Sequence, residues 1–160
     1  MKKIYGFDID GVIAKIPFGR KLGNFIWPIF VFLSKFRIVR VIYDNFFRRP
    51  NWEIIRVIQY LKGKGFPVYI VSGNPEYYRK ELENWLKKYD IFYEKLYLWP
   101  GKTDMLSWKR DKICELGICY YIDDLAEVIE PITSKGVNAL QYKNQKAEEI
   151  IFFLDNKPIS

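Results

Sequence analysis

Residues 3–12 read Lys3-Ile4-Tyr5-Gly6-Phe7-Asp8-Ile9-Asp10-Gly11-Val12. A short, largely apolar run stops abruptly at two aspartates set one residue apart and followed by glycine. The run predicts a buried strand, and the Asp-x-Asp-Gly that ends it predicts a loop at the strand's carboxyl end. The same grammar recurs twice downstream. Residues 67–71 are β-rich and apolar and end in Ser72-Gly73-Asn74-Pro75. Residues 118–122 are apolar and end in Asp123-Asp124.

Working outward, further strands are expected over 92–98 and near 137–141. A helix is expected over 51–64, where Ile54, Ile55, Val57, Ile58 and Leu61 follow a helical period and Gly63 and Gly65 end it. With Asn74 as N-cap and Pro75 as first helical residue, a second helix should reach about residue 89. A third, capped by Thr103 or Asp104, should run to 116 and stop at Gly117. A fourth covers 125–134, disturbed by Pro131, and a closing helix covers 145–154. Continuous apolar strands alternating with helices predict an α/β fold: a doubly wound, three-layer, Rossmann-like domain with a mostly parallel sheet of about five strands. No linker divides residues 1–160. Residues 21–47, rich in Phe, Ile and Val with interspersed Lys and Arg, read as one or two short amphipathic helices.

Composition narrows the chemistry. The chain has 160 residues, 49% hydrophobic, and contains no histidine and two cysteines. That excludes a serine–histidine triad, Cys–His catalysis, a histidine phospho-acceptor and any zinc site with imidazole ligands. Cys114 and Cys119 flank an apolar run and read as small buried hydrophobes in preference to a disulfide. The net charge of +7 favours anionic partners, whether phosphorylated metabolites, nucleic acid or anionic lipid. A carboxylate at position 8 is too early for a signal peptide, and no run has the ~18 apolar residues of a membrane span. A cytoplasmic location is the expectation.

In a doubly wound sheet, ligands bind beyond the carboxyl ends of the strands. Asp8 and Asp10, Ser72 and Asn74, and Asp123 and Asp124 all fall there, so they should converge on one crevice. Crowding these carboxylates without compensation would cost several kcal/mol, on the order of 2–5. A divalent cation with oxygen ligands removes that cost, and Mg²⁺ is the expected cofactor.

At these residues the sequence resembles the haloacid dehalogenase superfamily. Phe7-Asp8-Ile9-Asp10-Gly11-Val12 resembles its first motif, Val71-Ser72-Gly73-Asn74 its second, and Tyr120-Tyr121-Ile122-Asp123-Asp124 its fourth. Lys109, Lys112 and Lys102 compete for the lysine of the third motif, with Lys109 favoured and Lys112 next. The resemblance implies phosphoryl transfer through an aspartyl-phosphate. Asp8 would be the nucleophile and Asp10 the acid/base. Ser72 and Lys109 would hold phosphoryl oxygens, with Gly11, Gly73, Asn74 and Lys112 also in contact with substrate. Mg²⁺ would be held by Asp8, the main-chain carbonyl of Asp10 and a motif-four acid, Asp124 in preference to Asp123. Glu127 reads equally as a further acid or as solvated helix face.

The resemblance also makes the insert, approximately 13–50, a small helical cap that leaves the crevice open. Three readings of its aromatic and basic residues stand: a packed lid, a homodimer or partner surface, or a nucleic-acid or membrane contact through Arg37, Arg40, Arg48 and Arg49. The leading function is a Mg²⁺-dependent phosphomonoester hydrolase acting on nucleotides or nucleic-acid ends. The alternatives are a non-catalytic phosphate- or nucleic-acid-binding module on the same fold, or a phosphotransferase.

Overall fold

In the computed structural model, residues 3–15, 41, 42, 44 and 48–156 are described. The sheet is five-stranded and parallel throughout. Its strands are β1 (Tyr5–Phe7), β4 (Val68–Pro75), β5 (Lys95–Trp99), β6 (Tyr120–Asp123) and β7 (Asn138–Gln141), in the spatial order β5-β4-β1-β6-β7. The first strand is thus central, and the order reverses on either side of it, which puts the crevice at the carboxyl end of β1. A second, two-stranded antiparallel ribbon pairs β2 (Ala14–Lys15) with β3 (Arg49–Pro50).

Alternation along the strands divides the core in two. Tyr5, Phe7, Val68, Ile70, Leu96, Leu98, Tyr120 and Ile122 face one layer. That layer contains α1 (Trp52–Gly63), α2 (Arg79–Lys88) and α5 (Ala147–Asn156). Val71 and Tyr121 face the other, with Ile113, Val128 and Ile132 from α3 (Met105–Glu115) and α4 (Ala126–Ser134). Strands covered on both sides cannot alternate apolar and polar residues, which is why they read as continuous apolar runs. Gly6 lets the second face close in, since a Cβ there would lie 2.6 Å from the Tyr121 ring.

Several local expectations are corrected. Asn74 does not cap a helix. The strand β4 runs through Pro75, a 3₁₀ turn covers Glu76–Tyr78, and α2 begins only at Arg79. The Asn74 carboxamide is instead bonded to Asp10 and Ser72, so it is not free to cap. Residues 92–94 precede β5 as loop, with Phe92 and Tyr93 packed on the core. Pro131, by contrast, lies inside α4 as expected, and the helix runs on to Ser134. Proline cannot bond the carbonyl four residues back, and here the Arg110 guanidinium donates to that Glu127 carbonyl at 3.4 Å. Cys114 and Cys119 are free thiols, partly exposed at the margins of the two cores rather than fully buried. The expected helical cap, with Phe25, Trp27, Arg37 and Arg40, lies outside the described residues, as does any dimer surface on it. Of that segment, Val41, Ile42 and Asp44 are helical. Among the described residues, no helix is long and apolar enough to cross a membrane.

Candidate active site

The crevice is built where β1, β4 and β6 end. Asp8 follows β1 directly, its N–H donating to the Ile122 carbonyl of β6 at 3.0 Å, so the nucleophile candidate is tied to the strand that ends in Asp123. Lys109, projecting from α3, is fully buried and bridges the two acids, with Nζ 2.8 Å from Asp8 Oδ1 and 2.7 Å from Asp123 Oδ2. Asp123 also accepts the Leu125 N–H at 2.9 Å, which turns the chain into α4. Asp124 packs against Gly11, where φ is +91° and a Cβ would sit 2.5 Å from the Asp124 carboxyl group. Both the left-handed backbone and the close approach therefore require glycine at position 11.

Burial and charge act together on these groups. Burial pushes the Asp8 carboxyl up to about 7, with Asp123 and Asp10 adding to the shift and Lys109 opposing it. For Lys109, burial works against the charge, but the carboxylates of Asp123 and Asp8 outweigh it and hold the ammonium well above its ordinary value.

The donor set fits a hard divalent cation. Carboxylate oxygens of Asp8, Asp123 and Asp124 lie within 4.8 Å of one another. Asp8 Oδ1 and Asp123 Oδ2 are buried and, among the described residues, have no hydrogen-bond donor beyond the Lys109 ammonium. Three clustered carboxylates, two of them paired with one ammonium, leave an excess of negative charge that an oxygen-seeking cation would neutralise.

Asp10 is held apart from that cluster. Arg48 grips it in a fork, Nε and Nη2 donating to Oδ1 at 3.2 and 3.0 Å and Nη2 to Oδ2 at 3.0 Å. Asn74 Nδ2 donates to Oδ2 at 2.6 Å and to Ser72 Oγ at 2.9 Å. Arg48 is itself locked in place. Its Nη1 pairs with Asp44 at 2.8 Å, its guanidinium lies 5.3 Å from the Tyr78 ring centre and 5.8 Å from that of Trp85, and Trp85 Nε1 donates to its carbonyl at 3.0 Å. Asp44 in turn accepts from the Tyr78 hydroxyl at 2.8 Å. A guanidinium suits this combination of forked carboxylate contact and cation–π contact, and lysine would not reproduce the fork.

Of the residues singled out in the sequence, the structure brings Asp8, Asp10, Gly11, Ser72, Asn74, Lys109, Asp123 and Asp124 to one crevice. Gly73 follows Ser72, with Met105 packed where its Cβ would be. Lys112 is not part of the cluster; its ammonium pairs with Glu115 at 2.7 Å on the same helix. Glu127 is exposed on α4. Arg48, expected with Arg37, Arg40 and Arg49 as a nucleic-acid or membrane contact, is instead buried against Asp10 and Asp44. The available signal was a charged residue placed directly before the β-like Arg49-Pro50 that returns the chain to the core.

No family model matches the chain, and no curated protein matches it. Solved structures do. One chain of an RNA repair complex superimposes with a TM-score of 0.66 at 20% identity over 89% of this protein. The match spans 42% of that chain, so this protein covers under half of its length. A haloacid-dehalogenase-superfamily hydrolase from Ehrlichia chaffeensis matches with TM-score 0.58 at 16% identity, over 97% of this chain and 98% of the other. A haloacid-dehalogenase-family enzyme from Bacteroides thetaiotaomicron, solved with magnesium and inorganic phosphate, matches with TM-score 0.59 at 15% identity, over 94% and 99%. The fold is therefore haloacid-dehalogenase-like.

Proposed function

We propose that the protein is a Mg²⁺-dependent phosphomonoester hydrolase that works through an aspartyl-phosphate on Asp8. The observation that supports this most is the buried Asp8–Lys109–Asp123 bridge at the end of the central strand, with a second aspartate held separately two residues on. Mg²⁺, held by Asp8, the main-chain carbonyl of Asp10 and Asp124 in preference to Asp123, would supply electrophilic stabilisation of phosphoryl charge. Asp8 attacks phosphorus, its oxygen forming the new P–O bond as the bond to the leaving alcohol breaks. Asp10 gives that alcohol a proton, then takes one from the water that displaces Asp8. Lys109 and Ser72 stabilise charge on the phosphoryl oxygens. The insert at approximately 13–50 acts as a small cap. Nucleotides or nucleic-acid ends are the favoured substrates, a reading supported by the +7 charge and by the likeness to a chain of an RNA repair complex.

Hydrolysis of p-nitrophenyl phosphate should require Mg²⁺ and disappear with EDTA; undiminished turnover in EDTA would contradict the reading. The metal should also stabilise the fold in a pH-dependent way. In the metal-free protein the Asp8 carboxyl is raised to about 7, above its unfolded value. The folded state then binds the extra proton, and the stability it contributes is lost as pH rises through 7. Mg²⁺ competes with that proton and relieves the charge it leaves behind. The rise in Tm on adding Mg²⁺ should accordingly be larger at pH 8 than at pH 6, reaching the equivalent of about 2.7 kcal/mol at a hundredfold excess over Kd. An equal shift at both pH values would contradict this.

Arg48 is a positioning residue, since it acts through Asp10. Arg48→Gln should slow hydrolysis of alkyl phosphates by about 10²-fold, the scale of a misplaced acid/base. For p-nitrophenyl phosphate, whose leaving group needs little protonation, the loss should be under about tenfold. Equal losses on both substrates would mean that Arg48 supports only the fold.

A further inference from the structure

The ribbon beside Asp10 carries a charge arrangement that the phosphatase chemistry does not use. In β2–β3, Lys15 is paired directly with Arg49 and Ala14 with Pro50. Directly opposed residues of an antiparallel pair share a face. Ala14 is buried, while Lys15 and Arg49 are exposed on the opposite face. Among the described residues neither has an acidic partner, in contrast to Arg48, which is buried in its ion pairs. Like charges set directly opposite each other destabilise a strand pair unless something neutralises them.

The ribbon is joined to the site at both strands. Gly11 N–H donates to the Ala14 carbonyl at 2.8 Å, and Arg48 grips Asp10. Lys15 and Arg49 therefore each stand one residue, about 3.8 Å of chain, beyond a residue in contact with the Asp10–Gly11 turn.

We infer that Lys15 and Arg49 form an anion clamp at the rim of the crevice for a second phosphate of the substrate, next to the one that is hydrolysed. The inference rests on the phosphatase reading and narrows its substrate class to compounds with at least two phosphates. A guanidinium offers a fork of donors and an ammonium a compact charge, and together they neutralise one phosphate group. The chemistry is the same whether that phosphate is a diester within a strand or belongs to a nucleoside bisphosphate.

The test compares kcat/KM for a 3′- or 5′-phosphorylated oligonucleotide, a nucleoside 3′,5′-bisphosphate and p-nitrophenyl phosphate, in the wild type and in K15A/R49A. The oligonucleotide-to-aryl ratio should fall at least about tenfold. Its salt dependence should become shallower by about 0.7 in log–log slope, the value for one phosphate contact on a single strand. A parallel fall for the bisphosphate identifies the second phosphate alone as the recognised group. A fall confined to the oligonucleotide identifies a strand. An unchanged ratio for both overturns the clamp. Circular dichroism and Tm check that the double variant folds, and K15Q with intact Arg49 should give a partial effect in the same direction. If the wild type hydrolyses none of the three compounds, the phosphatase reading fails. Fluorescence anisotropy with the labelled oligonucleotide then decides the clamp separately: binding weakened in K15A/R49A supports it, and equal binding overturns it.

Discussion

Asp8→Asn is expected to reduce kcat for phosphomonoester hydrolysis by about 10⁴-fold or more, the scale found when a residue that works as a unit with its catalytic partners is removed. The amide keeps nearly the shape of the carboxylate but lacks the anionic oxygen that forms the acyl phosphate. The same change should leave the metal-free fold intact or make it slightly more stable. It removes one of three crowded carboxylates, one whose ionisation is opposed by burial. Loss of activity with retained Tm separates chemistry from folding; steady-state kinetics and thermal melts on one preparation measure both. Wild-type turnover in the variant would end the nucleophile assignment.

Lys109→Met should act in the opposite sense on stability. Lys109 is the cation in contact with both Asp8 and Asp123, and it is almost completely buried. Methionine matches its stem but leaves two buried carboxylates facing each other. Breaking a buried ion pair from one side costs about 3–5 kcal/mol, which in a domain of this size lowers Tm by roughly 10 °C. Mg²⁺ should recover part of the loss, because it neutralises the same oxygens. Adding Asp123→Asn to Lys109→Met should recover part of it without metal. Denaturant unfolding measures the differences, and a loss below about 1 kcal/mol would show that the bridge does not hold the crevice together.

These two substitutions concern residues that were visible in the sequence for simple reasons. Asp8 and Asp123 each end a run of apolar residues, and a strand that stops at a carboxylate can be recognised without knowing its neighbours. Parallel strands buried on both faces write themselves as unbroken apolar runs, so Tyr5–Phe7 and Tyr120–Asp123 were legible. Among the three lysines that the family resemblance offers, helical spacing ahead of β6 favours Lys109, which is also a local signal.

The remainder depends on distant partners. Asn74 followed by Pro75 has the local chemistry of a helix start, but Asp10, 64 residues earlier, claims its carboxamide and the strand continues. In the sequence Arg48 is one of several basic residues on an aromatic insert. Only the three-dimensional placement of Asp10, Asp44, Tyr78 and Trp85 shows that it points inward while its neighbour Arg49 points out. The ribbon β2–β3 is two residues long on each side and is separated by the insert, so no periodicity could announce it. Lys112 shows the reverse error: one helical turn from a buried lysine is close enough to share a face in sequence, yet its ammonium is satisfied by Glu115.

The most direct measurement is acid-quench trapping of the phosphorylated enzyme during turnover, followed by peptide mass spectrometry. A phosphoryl group on the peptide containing Asp8, labile to hydroxylamine and absent from Asp8→Asn, is the expected result. Burst-phase turnover with no acyl-phosphate on Asp8, or with the label on another residue, would contradict it.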